Sequence, residues 1–223
     1  MIRGSIHPLA SLLLLIASVG AAGQMSAQTA TSEHSSMVTF HWNTHQPTAP
    51  MKVVRVMLGD KEIANDVPVP VEGMWMRNIS VTLANVSAKT IVVCGVSVMF
   101  PETRSATSGS VPSIEMRKGK FPQHAYMKRD GTSQKPNDPE TESPVPPGSL
   151  VTFHAPIGAD WDQGEAYKLV DPITRVSINL GHIFFSDESA WMGGTYFVPV
   201  PPPDLWKKVT PEEFVAYTPA TQP

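Results

Sequence analysis

Prolines interrupt this chain along most of its length and limit the elements that it can form. The sequence holds 22 prolines and 15 glycines among 223 residues. Proline lacks the amide hydrogen that helix interiors and central strands need, so its frequency favours short elements joined by turns. Between the turns, apolar and polar residues alternate, most regularly in NISVTLANVSAKTIVVCGVSVMF, residues 78–100. We therefore expect many short strands and few helices.

Alternation with a period of two predicts half-buried strands at several places. Ile79, Val81 and Leu83 share one face of the first run in residues 78–100, and Val92, Cys94, Val96, Val98 and Phe100 share a face of the second. Similar runs occur near residues 38–42, 54–58, 151–153 and 176–185, with a bulge expected at Gly181 and His182. The sequence predicts an all-β chain that folds as an antiparallel β-sandwich of about 7–9 strands.

The two runs in residues 78–100 are joined by a short polar connection. Its length suits a hairpin, and a crossover between two sheets stays open as an alternative. Cys94 is the only cysteine, so no intramolecular disulfide can form, and its apolar face predicts a buried core residue. Asn78 and Asn85 fit the glycosylation pattern, but strand-start and turn chemistry explain them better.

The two ends of the chain have their own character. Residues 1–27 combine Arg3, an apolar run and small residues, the order of a cleaved signal peptide, which predicts export to the periplasm or secretion. Residues 28–36 are expected to form a flexible lead-in, and residues 37–200 the sandwich. Residues 201–223 read as a proline-rich tail with a short helix that has Thr210 as its N-cap, Pro211 at N1 and Glu213 at N3.

Residues 101–149 differ from the alternating segments around them. Serine, threonine, proline, glycine and charge dominate there, which predicts a long loop insertion. Its basic and aromatic residues are the candidate binding residues for another envelope protein or an anionic polymer; the plainer interpretation is a solvated, mobile loop. These candidates are Arg117, Lys118, Lys120, Phe121, Tyr126, Lys128 and Arg129.

The sequence resembles a group of bacterial envelope proteins. The run Ile79–Ile91 followed by Val96–Phe100 is similar to the "strand, Asn-x-Ser-x-Lys, strand" pattern of Ig-like envelope domains. The turn at residues 147–149 and the segments Phe185–Trp191 and Gly194–Phe197 resemble uncharacterised exported bacterial proteins of this sort. The resemblance covers roughly residues 50–100 and 145–198. It implies an Ig-like sandwich in the cell envelope and carries no catalytic residues.

Metal binding is the second hypothesis that the sequence raises. Asp160, Asp162 and Glu165 resemble the opening of a calcium loop, although the glycine is one place early and no bidentate glutamate follows. Thioethers beside tryptophans, as in residues 74–76, could hold copper with histidine. A solvated acidic turn and ordinary core packing explain both patterns more simply, so we expect no cofactor.

Other classes of function find less support in the residues. The formal net charge of −3 does not suggest a nucleic-acid partner, and no apolar run after the first predicts a membrane span in the mature chain. There is no Gly-x-Ser-x-Gly elbow and no evident Ser, His and Asp set, so the sequence predicts no enzyme. A hydrolase with an unrecognised site is the third hypothesis.

Overall fold

Strands dominate the computed structural model of the protein. It describes residues 36–43, 46–73, 75–103, 111–126, 128, 144–155, 173–202 and 204–219. These residues form two β-sheets and one short helix, which confirms the predicted all-β sandwich. Within the described ranges there are thirteen strands, more than expected, because several have only two to four residues.

The larger sheet has nine strands in the order β13-β12-β11-β10-β6-β9-β1-β4, with β7 also paired to β6. Their bounds are β1 Ser36–Trp42, β4 Pro68–Val71, β6 Ile91–Met99, β7 Ser113–Gly119, β9 Arg175–Leu180, β10 Ile183–Phe185, β11 Ala190–Met192, β12 Thr195–Pro199 and β13 Trp206–Val209. The proline-rich β4 lies at an edge, where a missing amide hydrogen costs no ladder bond.

The smaller sheet has four strands in the order β3-β2-β5-β8. Their bounds are β2 Met51–Leu58, β3 Lys61–Glu62, β5 Ile79–Asn85 and β8 Leu150–His154. The two runs of residues 78–100 thus belong to different sheets, because β5 lies here and β6 in the larger sheet. Their connection is the sheet-to-sheet crossover, and the hairpin does not form.

Asn85 fixes this crossover. Its amide nitrogen donates to the carbonyl oxygens of Lys89 at 2.9 Å and Val145 at 2.8 Å, and its side-chain oxygen accepts from Ser87. The residue is only 1% exposed. The glycosylation pattern at this position is therefore turn chemistry, as the sequence predicts.

Strand β6 is the centre of the larger sheet. On one side it pairs with β7 over its length, and on the other side with β9 and then β10. Leu180 faces Val96 and Phe184 faces Val93, so one strand holds an extra residue between these pairs. The interruption lies at Gly181 and His182, where the sequence predicts a bulge.

The segments predicted as insertion and tail both contribute to the sandwich. Within residues 101–149, β7 is a full strand rather than loop, because Ile114 and Met116 are buried against β6. Within residues 201–223, β13 pairs with β12. Helix α1, Pro211–Ala216, has Thr210 as N-cap in a capping box with Glu213, which confirms the predicted helix start.

The core lies between the two sheets and includes Cys94, which is 1% exposed as the sequence predicts. Burial raises the pKa of its thiol to about 12, while Lys118 acts in the opposite direction. The thiol is therefore neutral in the folded protein at physiological pH.

The raised pKa predicts a loss of stability at alkaline pH. The pKa in the folded protein lies above the ordinary thiol value of 9.0, so this contribution to stability is complete below pH 9.0 and is lost as the pH rises towards about 12. Urea unfolding at several pH values should show a slope steeper by up to about 1.4 kcal/mol per pH unit in the native protein than in Cys94→Ala. Equal slopes would contradict the buried thiol.

No helix in the described ranges is long and apolar enough to cross a membrane.

Candidate functional site

The structure brings part of the predicted binding set together on β7. Arg117 and Lys118 lie on this strand, and Lys120 and Phe121 follow it directly. Tyr126 ends the 3-10 turn Gln123–Tyr126, Lys128 is exposed, and Arg129 lies outside the described residues.

Lys118 reaches across to the neighbouring sheet. It faces Cys94 in the register of β6 and β7, on the side of the larger sheet that covers the core. Its Nζ donates to the carbonyl oxygen of Thr152 on β8 at 2.6 Å and lies 5.6 Å from the centre of the Phe153 ring. Because β7 and β8 belong to different sheets, this side chain fixes the separation of their adjacent edges.

Arg117 points to the opposite side of β7 from Lys118, because adjacent strand residues alternate. Its guanidinium carbon lies 4.6 Å above the ring of Phe121, a cation–π distance. Phe121 in turn makes an edge-to-face contact with Phe184 at 5.0 Å. Phe121 is therefore partly a packing residue, and it holds the guanidinium close to the surface of the larger sheet.

A groove of about 590 Å³ lies beside these residues. It includes both cations of β7, two imidazoles from outside β7, and one carboxylate. Its lining is Gly95, Glu115, Met116, Arg117, Lys118, Phe121, Phe153, His154, Gly181 and His182. Among the described side chains that line it, two carry a permanent positive charge and one a negative charge.

Two glycines at the floor of the groove leave space that a side chain would fill. The amide of Gly181 donates to the carbonyl oxygen of Gly95 at 2.9 Å. A Cβ added to Gly95 would lie 3.1 Å from the carbonyl oxygen of Met116, and one added to Gly181 would lie 3.3 Å from Gly95. Any side chain at either place would crowd the backbone and fill the space above it.

His154 and His182 were not among the residues that the sequence singled out. His154 ends β8, and His182 lies in the interruption between β9 and β10. Both are exposed on the groove. The bulge predicted at His182 is the only sequence signal near either residue, since bulges often redirect a side chain towards a site.

The predicted calcium residues Asp160, Asp162 and Glu165 lie outside the described residues. Within the described ranges, no group of three or more His, Cys, Asp or Glu side chains could hold a metal ion. Of the Met74–Met76 run, Met74 also lies outside them, whereas Trp75 packs edge-to-face on Phe40 at 5.8 Å and Met76 packs against the core.

Comparisons with known proteins assign no family. No family model, curated protein or solved structure matches this chain. Function is therefore inferred from the described side chains alone.

Proposed function

We propose that the protein is an exported, non-catalytic binding module with an Ig-like sandwich, and that the groove beside β7 binds an anionic polymer. Support for export comes from the order of charge, apolar run and small residues in the first 27 positions. Support for the Ig-like assignment comes from the two-sheet sandwich and from the strand and turn patterns of the sequence. The cell envelope is the compartment that these features favour.

One observation carries the proposed ligand class. Arg117 and Lys118 point to opposite sides of strand β7, and both line a groove that also includes His154 and His182. Both side chains are exposed, and each makes a contact that restricts it: Arg117 with the ring of Phe121 and Lys118 with the carbonyl oxygen of Thr152. Fixed donors around an open groove suit a ligand that presents repeated oxygen anions.

A polymer fits this groove better than a folded acidic partner. Stable protein interfaces usually centre on an aromatic side chain that becomes buried in a pocket. Both phenylalanines of the groove are already engaged, Phe121 with Phe184 and Phe153 in the core, where it is 2% exposed. The groove therefore presents charged and polar side chains and no free aromatic side chain among its described residues. A flexible polyanion can bind to such side chains.

Reversing the charge of Arg117 and Lys118 together should weaken polyanion binding by at least about tenfold, since the groove would become acidic. Fluorescence anisotropy of labelled dextran sulfate measures this, at low and at moderate salt, because binding through charge weakens as salt rises. The matched control is Lys207→Glu with Lys208→Glu, two exposed cations on β13 outside the groove.

The control decides whether the groove is specific. Full loss of binding in the β13 variant would mean that the surface attracts polyanions generally, which contradicts the proposed site. No binding by the unaltered protein would exclude a polymer of this charge. The neutral double variant Arg117→Gln, Lys118→Gln is the second test. Its thermal unfolding curve shows whether a loss of binding comes from a loss of folding.

A further inference from the structure

A second cavity of about 340 Å³ lies elsewhere in the molecule. Its lining comes from the connection between β1 and β2, from β2 and β9, and from β11 with the turn that follows it. The lining residues are Asn43, Gln46, Ala49, Met51, Lys52, Val53, Ile178, Asn179, Leu180, Trp191, Gly193 and Gly194. None of them belongs to the groove beside β7.

Trp191 is the unusual member of this lining. The residue is 2% exposed, and within the described part of the chain its Nε1 has no hydrogen-bond partner. Buried indole N–H groups almost always find an acceptor, because a donor removed from water and left unpaired is costly. Trp191 faces Ile183 and Tyr196 in the sheet register, which places its side chain on the core side of the larger sheet.

The polar groups of the lining are weighted towards donors. Trp191 and Lys52 can only donate, while the amide of Gln46 both donates and accepts. Among the described residues that line the cavity there is one ammonium group and no carboxylate. Met51, Val53, Ile178 and Leu180 supply an apolar surface beside these groups. The complementary ligand is a small molecule with one negative charge and several acceptor oxygens.

The cavity wall is held in place by hydrogen bonds. The hydroxyl of Tyr196 donates to the carbonyl oxygen of Thr48 at 2.5 Å, and the amide of Ala49 donates to the carbonyl oxygen of Gln46 at 3.1 Å. Gly193 and Gly194, with φ values of 56° and 88°, form the tight turn between β11 and β12. A preformed wall reduces the ordering that a ligand would have to impose.

We propose that this cavity binds a small hydroxylated monocarboxylate of monosaccharide size, with a ligand oxygen accepting from Trp191 Nε1 and the carboxylate near Lys52. The volume lies at the small end of the range of roughly 300–1,000 Å³ in which ligand cavities fall. The amide of Gln46 matches a sugar hydroxyl, which also donates and accepts. This ligand class differs from the polymer proposed for the groove, and either proposal can fail alone.

The test follows the indole N–H signal of Trp191 in a nitrogen–proton correlation spectrum, identified by its loss in Trp191→Phe. Titration with glucuronate should shift this signal with saturation, and glucose should bind at least about tenfold more weakly because it lacks the carboxylate. Lys52→Gln should weaken the binding of glucuronate by about tenfold and leave the affinity for glucose unchanged. Lys61 on β3 is an exposed cation outside the cavity, and Lys61→Gln should change neither affinity.

Each other outcome overturns the proposal. An unchanged indole signal at about 50 mM glucuronate would show that this ligand does not bind beside Trp191. Equal affinity for glucose would exclude the carboxylate, and equal effects of Lys52→Gln and Lys61→Gln would exclude a specific role for Lys52. Trp191→Phe should lower the affinity for glucuronate, measured by calorimetry, by about tenfold. An unchanged affinity would exclude a hydrogen bond from the indole to the ligand.

Discussion

Replacing Asp187 with asparagine is expected to lower the free energy of unfolding by about 3 kcal/mol. Asp187 Oδ2 lies 2.5 Å from Lys89 Nζ, and both side chains are only 15% exposed. The same ammonium lies 4.2 Å from the centre of the Phe214 ring on α1 and donates to the carbonyl oxygen of Tyr217 at 3.3 Å. Asparagine keeps the shape but leaves a nearly buried cation without its anion.

Urea unfolding of Asp187→Asn, of Lys89→Met and of the double variant measures this effect. Lys89→Met alone should also be strongly destabilising, and the double variant should cost less than the sum of the two, because both charges are then removed. The control is His41→Gln, which removes the contact of His41 Nδ1 with Asp66 Oδ1, whose side chains are 41% and 55% exposed. It should cost less than about 1 kcal/mol. Similar losses in the buried and exposed pairs would show that Lys89 does not hold α1 in place.

Replacing Gly119 with alanine is expected to be at least as damaging, with a loss of more than about 3 kcal/mol or detachment of β7. Gly119 has a φ of 97°, and an added Cβ would lie 1.8 Å from the carbonyl oxygen of Val92. Backbone cannot yield by that distance without breaking the pairing of β7 with β6. Because β7 carries Arg117 and Lys118, the groove would be lost with it.

Gly59→Ala separates the two causes of this effect. Gly59 also has a positive φ, 60°, but no atom of the described residues lies within 4 Å of an added Cβ. Its replacement should lower the free energy of unfolding by about 1 kcal/mol, the cost of a positive φ alone. Urea unfolding and polyanion binding of both variants check the prediction. A Gly119→Ala protein that folds and binds like the Gly59→Ala protein would mean that the end of β7 is not held against β6.

The strands could be predicted from sequence because period-two alternation records which side chains face the core. The alternation in residues 78–100 predicts β5 and β6 and the burial of Cys94, but it cannot say which sheet each strand joins. A short connection serves a hairpin and a crossover equally. The crossover depends on the buried amide of Asn85 and on Val145, 60 residues away along the chain. Strand β7 was missed because Ile114 and Met116 give too short a pattern within a polar segment.

The site could be predicted only where its residues are close in sequence. Arg117, Lys118 and Phe121 stand out because they cluster in one segment. His154 and His182 join them only when two sheets are stacked, and nothing local marks an isolated histidine as part of a groove. Trp191 is still harder to find, because a missing hydrogen-bond partner is a property of the packed protein.

The pairing of β1 with β9 has a consequence for the order of folding. This parallel pair joins Thr39 to Arg175, residues separated by most of the chain. During synthesis, β1 has no lasting neighbour on that side until β9 has been made, and β6 likewise waits for both β9 and β10. Closing such long loops slows folding, because their entropy is lost before the contacts form. The larger sheet therefore assembles late, after nearly the whole chain is available.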